Sequence, residues 1–155
     1  MSGERPRRSA VDASVVIKRF LNEQLSERAT ALLAAAADPE RLALHAPDLL
    51  YVECMNVLWK HVRRGALDRS LAREHVWSAA TLRIALTSTK ELAPETLALA
   101  IEHDISAYDA SYVALARSLG CELITADQRL VNKLSPPLRF VRWLGDPALT
   151  FSGDG

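Results

Sequence analysis

Residues 109–127 read DASYVALARSLGCELITAD. Apolar residues recur at helical spacing over 110–119, and Gly120 stands where a left-handed C-terminal cap is wanted. The strand-length apolar run 121–125 follows, and the chain then presents Thr125-Ala126-Asp127, with a short helix expected from Gln128. Helix, stop, strand and carboxylate come in succession. The N-terminal side repeats the ending: residues 9–11 read as a strand, followed at once by Asp12-Ala13-Ser14 and a helix that can begin at Ser14.

Working outward, strand-length runs are expected at 9–11, 41–46, 83–87, 121–125 and 140–143. Helical periodicity lies between them at 15–22, 27–37, 49–64, 71–81, 95–103 and 110–119. Gly65 suits a C-terminal cap, Asp48 and Asp68 suit N-caps, and Pro94 suits a first helical position. Alternation of this kind predicts an α/β fold with a mainly parallel five-stranded sheet, because each parallel pair needs a crossover connection. Ligands then bind in the crevice beyond the carboxyl ends of the strands.

At 155 residues, 49% of them apolar and 25% charged, the chain is expected to form one domain over 9–147, with polar tails at 1–8 and 148–155. Nineteen Lys and Arg balance nineteen Asp and Glu, so any nucleic-acid contact must come from a local patch. No apolar stretch approaches the roughly 20 residues that span a bilayer, and no signal-type segment follows Arg5, Arg7 and Arg8; a cytoplasmic location with no membrane partner is the expectation. Cys54 and Cys121 lack CxxC spacing and are read as structural thiols.

Asp12 and Asp127 occupy equivalent places after strands. Two more acids come from helices: Asp109, and Glu53, which shares a helix face with Asn56 three residues on. Each has an ordinary explanation, Glu53 as a solvated helical acid, Asp109 as an N-cap, Asp12 and Asp127 as turn residues. Together they imply more, because carboxylates converging on one crevice must protonate or be neutralised by a cation. An all-oxygen set favours Mg²⁺ or Mn²⁺ over zinc, and the chemistry it suits is phosphodiester hydrolysis. His45, His61, His75 and His103 lack partner spacing and are read as structural or solvated.

VDAS at 11–14, ExxN at 53–56, YDASYVALA at 108–116 and TAD at 125–127, in that order, resemble the PIN-domain nucleases, most of all the VapC-type toxins of bacterial toxin–antitoxin pairs. The resemblance runs from about Ala10 to Leu144. It implies a three-layer PIN-like fold and a metal-dependent endoribonuclease in which Asp12, Glu53, Asp109 and Asp127 hold one or two Mg²⁺ or Mn²⁺ ions, supported by Ser14, Asn56 and Thr125. It further implies a homodimer and a VapB-type antitoxin that places a basic side chain in the acidic pocket. One departure is the polar Arg7-Arg8-Ser9 where the family opens with a strongly apolar strand. Other readings are a PIN nuclease of RNA processing without an antitoxin, and a non-catalytic RNA- or protein-binding module; the four acids argue against the latter. A haloacid-dehalogenase phosphatase would need an acid at Ser14, and a receiver domain one at Ala13.

For the RNA substrate, the densest basic cluster is Lys60, His61, Arg63 and Arg64, with Lys18 and Arg19 a second. Cations there could position phosphates, although a basic last turn also complements the helix dipole. Trp59, Trp77, Trp143, Tyr51 and Tyr112 are expected mostly in the core, with any residual apolar face left for a second copy or an inserted partner segment.

Overall fold

The computed structural model describes residues 5–151. Its strands are β1 (Arg7–Val11), β2 (Leu42–Pro47), β3 (Ile84–Thr87), β4 (Glu122–Thr125) and β5 (Val141–Trp143). They form one sheet in the order β3-β2-β1-β4-β5, and every neighbouring pair is parallel. The crossovers are helical. Between β1 and β2 lie α1 (Ala13–Val16), a 3₁₀ turn (Ile17–Arg19) and α2 (Ser26–Ala35); between β2 and β3 lie α3 (Leu50–Arg63) and α4 (Arg69–Ala80). α5 (Thr89–His103) and α6 (Ala107–Leu119) join β3 to β4, and α7 (Gln128–Leu134) joins β4 to β5.

The chain builds the sheet outward from β1 through β2 to β3, then returns to add β4 on the other side of β1. The order reverses between β1 and β4, so the loops leaving those two strands diverge and open a crevice there. Behind it, α6 packs against β1, β2 and β4 on one side and against α5 on another. That position explains its sequence: every residue from Ala110 to Ala116 is buried, and Ala110, Ser111, Ala114 and Ala116 are small enough to let the backbone approach its neighbours. Leu44, Leu99, Leu123 and Ile124 complete this part of the core, each contributing roughly 1.5–3 kcal/mol by burial.

Several expectations need correction. β1 starts earlier than predicted: Arg7 and Arg8, assigned to a tail, pair with Leu42 and Ala43 because backbone hydrogen bonds to β2 outweigh the polarity of exposed side chains. The 1–4 part of that tail, and 152–155 of the other, lie outside the described residues. Leu149, also given to a tail, is buried, and Arg28 reaches across from α2 to the carbonyls of Leu144, Asp146 and Leu149. The helix expected at 15–22 starts at Ala13 and ends in the 3₁₀ turn. α5 begins six residues before the expected start: Ser88 caps it by accepting from Lys90 N, so Pro94 lies inside the helix rather than first in it. Asp48 does not cap its own helix; its Oδ1 accepts from Thr89 N of α5 at 3.0 Å. Asp68 does cap α4, through Ser70 and Leu71, and Gly65 and Gly120 adopt the positive φ their positions require, +73° and +61°. Trp59 and Trp77 are not core: they are 53% and 76% exposed. Both cysteines are free, and burial pushes the Cys54 thiol up to about 12, which leaves it inert.

Candidate active site

Asp12 leaves the end of β1 at the switch point. Its backbone N–H donates to Ile124 O at 3.0 Å, which extends the β1–β4 pairing and brings the two motif loops together. The side chain is 7% exposed and accepts at a single oxygen, Oδ2, from Ser14 Oγ and from Thr125 Oγ1, both at 2.8 Å. Those hydroxyls are in turn fixed by backbone donors, Ala126 N–H onto Ser14 Oγ at 3.0 Å and Asp127 N–H onto Thr125 Oγ1 at 3.1 Å. With both hydroxyl hydrogens directed at Asp12, the 3.3 Å approach of Ser14 Oγ to Thr125 Oγ1 has no hydrogen left to share. The side-chain donors to this carboxylate among the described residues are these two hydroxyls, both on Oδ2, and the Ala13 backbone N–H adds to them. Ser14 and Thr125 thus hold the acid that the motif order pairs them with.

Glu53, one turn into α3, is half-buried and accepts from Tyr112 Oη through Oε1 at 2.6 Å. Tyr112 is itself buried and lies three residues after Asp109 on α6, so one helix supplies an acid and a clamp for another. Burial and the neighbouring anions push its phenol far up, so it stays a donor. Asp109 sits in the first turn of α6, its N–H bonded to the capping Ser106 Oγ at 3.1 Å. Asp127 caps α7, its Oδ1 accepting from Arg129 N at 3.0 Å and Leu130 N at 3.3 Å.

The acids feel one another. Burial is the main cause that raises Asp12, Glu53 and Asp109 above their ordinary values. Repulsion adds to it: Asp109 acts on Asp12, Asp12 and Asp109 act on Glu53, and Asp127 acts on Asp109. The hydroxyls of Thr125 and Ser14 on Asp12, Tyr112 on Glu53 and Ser106 on Asp109 oppose the rise. No three His, Cys, Asp or Glu side chains among the described residues stand ready-made around one ion position. The donors are nevertheless all oxygen, from buried Asp12 through half-buried Glu53 and Asp109 to exposed Asp127, and they repel one another, which fits a hard divalent cation and not zinc.

A group whose folded-state pKa is raised contributes stability that is present at low pH and lost as pH climbs through the raised value. Glu53→Gln keeps an acceptor for Tyr112 and removes a charge. In EDTA the variant is therefore expected to melt a few degrees above the parent at pH 7, a shift on the order of 1 kcal/mol in a chain of this size. The difference should vanish near pH 3, where Glu53 is protonated in both states. Scanning calorimetry across that range checks it, and a variant less stable at pH 7 would contradict the repulsion.

The remaining residues singled out by sequence are less closely drawn in. Asn56 is exposed on α3 and makes no side-chain hydrogen bond among the described residues. Lys60 lies two turns beyond Glu53, about 10 Å along the helix, and Arg63 and Arg64 about 15 Å. Arg63 lays its guanidinium over the Trp59 ring, 5.4 Å from the centroid. His61 Nε2 stands 3.8 Å from Glu23 Oε1, and Lys18 is bridged to Glu23 at 3.2 Å. Tyr112 is the residue sequence reasoning missed; its spacing of three from Asp109 was the available signal.

Comparison with known proteins places the chain in a family. The family model described as the PIN domain matches residues 10–133. The chain is 36% identical over 126 residues to "Ribonuclease VapC3" of Pyrobaculum aerophilum, covering 79% of this chain and 92% of that protein. It is 37% identical over 122 residues to "Ribonuclease VapC9" of Mycobacterium tuberculosis, covering 77% and 86%. Among solved structures, a Pyrobaculum aerophilum crystal structure superposes with a TM-score of 0.67 at 26% identity, over 90% of this chain and 92% of that one.

Proposed function

Since this chain belongs to the PIN-domain family, and within it to the VapC ribonucleases, we propose that it is a Mg²⁺- or Mn²⁺-dependent endoribonuclease whose metal is held by Asp12, Glu53, Asp109 and Asp127. The observation that carries this reading is Asp12, a buried carboxylate tied down at Oδ2 by two hydroxyls and repelled by Asp109, with Glu53 repelled by both. A bound divalent ion would supply Lewis acidity towards the scissile phosphate and lower the pKa of water. The protein's part is to present the oxygens: Ser14 and Thr125 fix the Asp12 carboxylate plane, Tyr112 fixes Glu53 by donating to Oε1, and the α7 backbone fixes Asp127 by donating to Oδ1. Lys60, Arg63 and Arg64 extend away from Glu53 along α3, where phosphates of a longer RNA would pass.

The chain acts as the toxin of a two-component cytoplasmic pair. Support comes from a cavity of about 700 Å³ between α3 and α4, where Met55, Leu58, Trp59, Val62, Ala72 and Val76 line an apolar wall beside Arg63, Arg69 and Arg73. An unusually apolar exposed face of this kind suits a partner segment, here a VapB-type antitoxin. A homodimer would cover further apolar surface at Leu97, Ile101 and Tyr108. Among the described residues no helix is long and apolar enough to cross a membrane.

Purified protein should cut a closed circular single-stranded RNA in Mn²⁺ and stop when EDTA is added, circularity excluding attack from an end. A neighbouring antitoxin-like reading frame would separate this reading from the RNA-processing one, and its absence would favour the latter. Failure to cut any RNA, together with no Mn²⁺ uptake by calorimetry, would falsify the enzymatic one.

A further inference from the structure

Beside Asp127 the surface opens into a second cavity, of about 470 Å³, lined by Lys18, Gln24, Asp127, Gln128, Arg129 and Trp143. It belongs to the strand-end side of the sheet, since Asp127 follows β4 and Trp143 ends β5, and it adjoins the acidic crevice through Asp127. Its size falls within the roughly 300–1,000 Å³ usual for small-molecule sites.

The wall is an indole held in place. Leu144 N donates to Thr125 O at 2.8 Å and Asp146 N to Trp143 O at 3.0 Å, which fixes the backbone on the far side of the ring. Gly145 then lies directly against it: a Cβ there would stand 2.4 Å from Trp143 Cη2 and Cζ2. The absence of a side chain at Gly145 is what lets the ring occupy this position, half-buried, where it lines this cavity and a neighbouring one of about 530 Å³.

The other lining groups are equally particular. Gln24 and Gln128 are exposed and make no side-chain hydrogen bond among the described residues, so each offers a donor and an acceptor. Arg129 has no ion pair among the described residues, and Lys18 is steadied by Glu23 at 3.2 Å. An anion filling this space would meet the Asp127 carboxylate. A neutral planar group would not, and it would find an aromatic face, amide edges and two cations at the rim for flanking phosphates.

We propose that this cavity is a nucleobase subsite: one unpaired base of a single-stranded RNA stacks on Trp143, with Gln24 and Gln128 at its edge and Arg129 and Lys18 on the adjoining phosphates. The inference deepens the ribonuclease reading and rests on it for the position of the scissile phosphate. A base must leave a duplex to stack in this way, so the site selects unpaired RNA.

The test is a double-mutant cycle read by binding. In an Asp109→Asn background, which permits binding without turnover, fluorescein-labelled oligoadenylate hexamer and a fully abasic ribose-phosphate hexamer are titrated in Mn²⁺ and followed by anisotropy. Trp143→Ala should weaken the oligoadenylate about tenfold, the value of one lost stack, and leave the abasic chain unchanged. Trp143→Phe, which keeps a smaller ring, should restore most of the affinity and guards against a folding defect in the alanine variant. Equal losses on both hexamers, no loss on either, or no binding of oligoadenylate by the Trp143 protein would each overturn the subsite. Cleavage of circular RNA by the parent without this coupling sinks the subsite alone; coupling with neither cleavage nor Mn²⁺ uptake sinks the ribonuclease reading and leaves the subsite standing.

Discussion

Asp12→Asn is expected to lower the single-turnover rate of RNA cleavage in Mn²⁺ by roughly a thousandfold or more, a larger loss than removal of one ordinary polar contact produces. The reason is that both side-chain donors to this carboxylate lie on one oxygen. Ser14 and Thr125 both aim hydroxyl hydrogens at Oδ2 because backbone N–H groups occupy their oxygens. An asparagine that keeps its carbonyl in that place puts an NH₂ where the second carboxylate oxygen stood; one that flips sets NH₂ hydrogens against two hydroxyl hydrogens. Neither arrangement can do what the carboxylate does. Thr125→Val keeps the shape, removes one of the two hydroxyls, and should cost about ten- to a hundredfold, the range found when an outer partner of a metal ligand is lost. An Asp12→Asn protein that melts normally yet cuts at the parental rate would remove this crevice from the reaction.

Arg28→Ala is expected to destabilise the fold by on the order of 3 kcal/mol, lowering Tm by roughly 6–12 °C. Among the described residues no other side chain ties so much of the C-terminal segment. Arg28 Nε donates to Leu144 O at 2.5 Å, and Nη2 donates to Asp146 O at 2.9 Å and Leu149 O at 2.6 Å. The guanidinium also lies over the Phe151 ring, 5.3 Å from its centroid. Removing it leaves three carbonyls without a charged donor and loosens the segment that covers Leu149. Arg28→Lys should recover little, because an ammonium is a single point and cannot reproduce the planar fork. Thermal melts of the three proteins, with hydrogen exchange over 144–151, check both statements; a loss below about 1 kcal/mol for the alanine variant would contradict them.

The sheet and the acidic residues were legible because each rests on a local signal with a topological meaning. Residues 9–11 and 121–125 ending in carboxylates are enough to place Asp12 and Asp127 on one crevice once the strands are parallel. The hydroxyl partners were legible as neighbours, but the convergence of both on a single oxygen depends on backbone geometry across β1 and β4. Tyr112 was hidden because a tyrosine in an apolar helix is most often packing, and here it is packing and donor at once. Ser88 carried a readable signal, Ser-x-x-Glu through Glu91, overshadowed by the proline six residues on. Asp48 misled because a good N-cap residue can serve another helix brought alongside. Trp59 and Trp77 misled for the opposite reason: helical spacing says which residues share a face and nothing of whether that face meets the core.

The sheet order has a consequence for synthesis. β1 emerges early, yet its second neighbour β4 and the hydroxyl of Thr125, 113 residues from Asp12, are translated late. A ribosome that has made the chain through α5 has delivered Asp12 and Glu53 but not Asp109, Tyr112, Thr125 or Asp127, and one edge of β1 is still bare. The nascent polypeptide therefore cannot assemble the acidic crevice until α6, β4 and Asp127 have followed, so its four acids meet only late in synthesis.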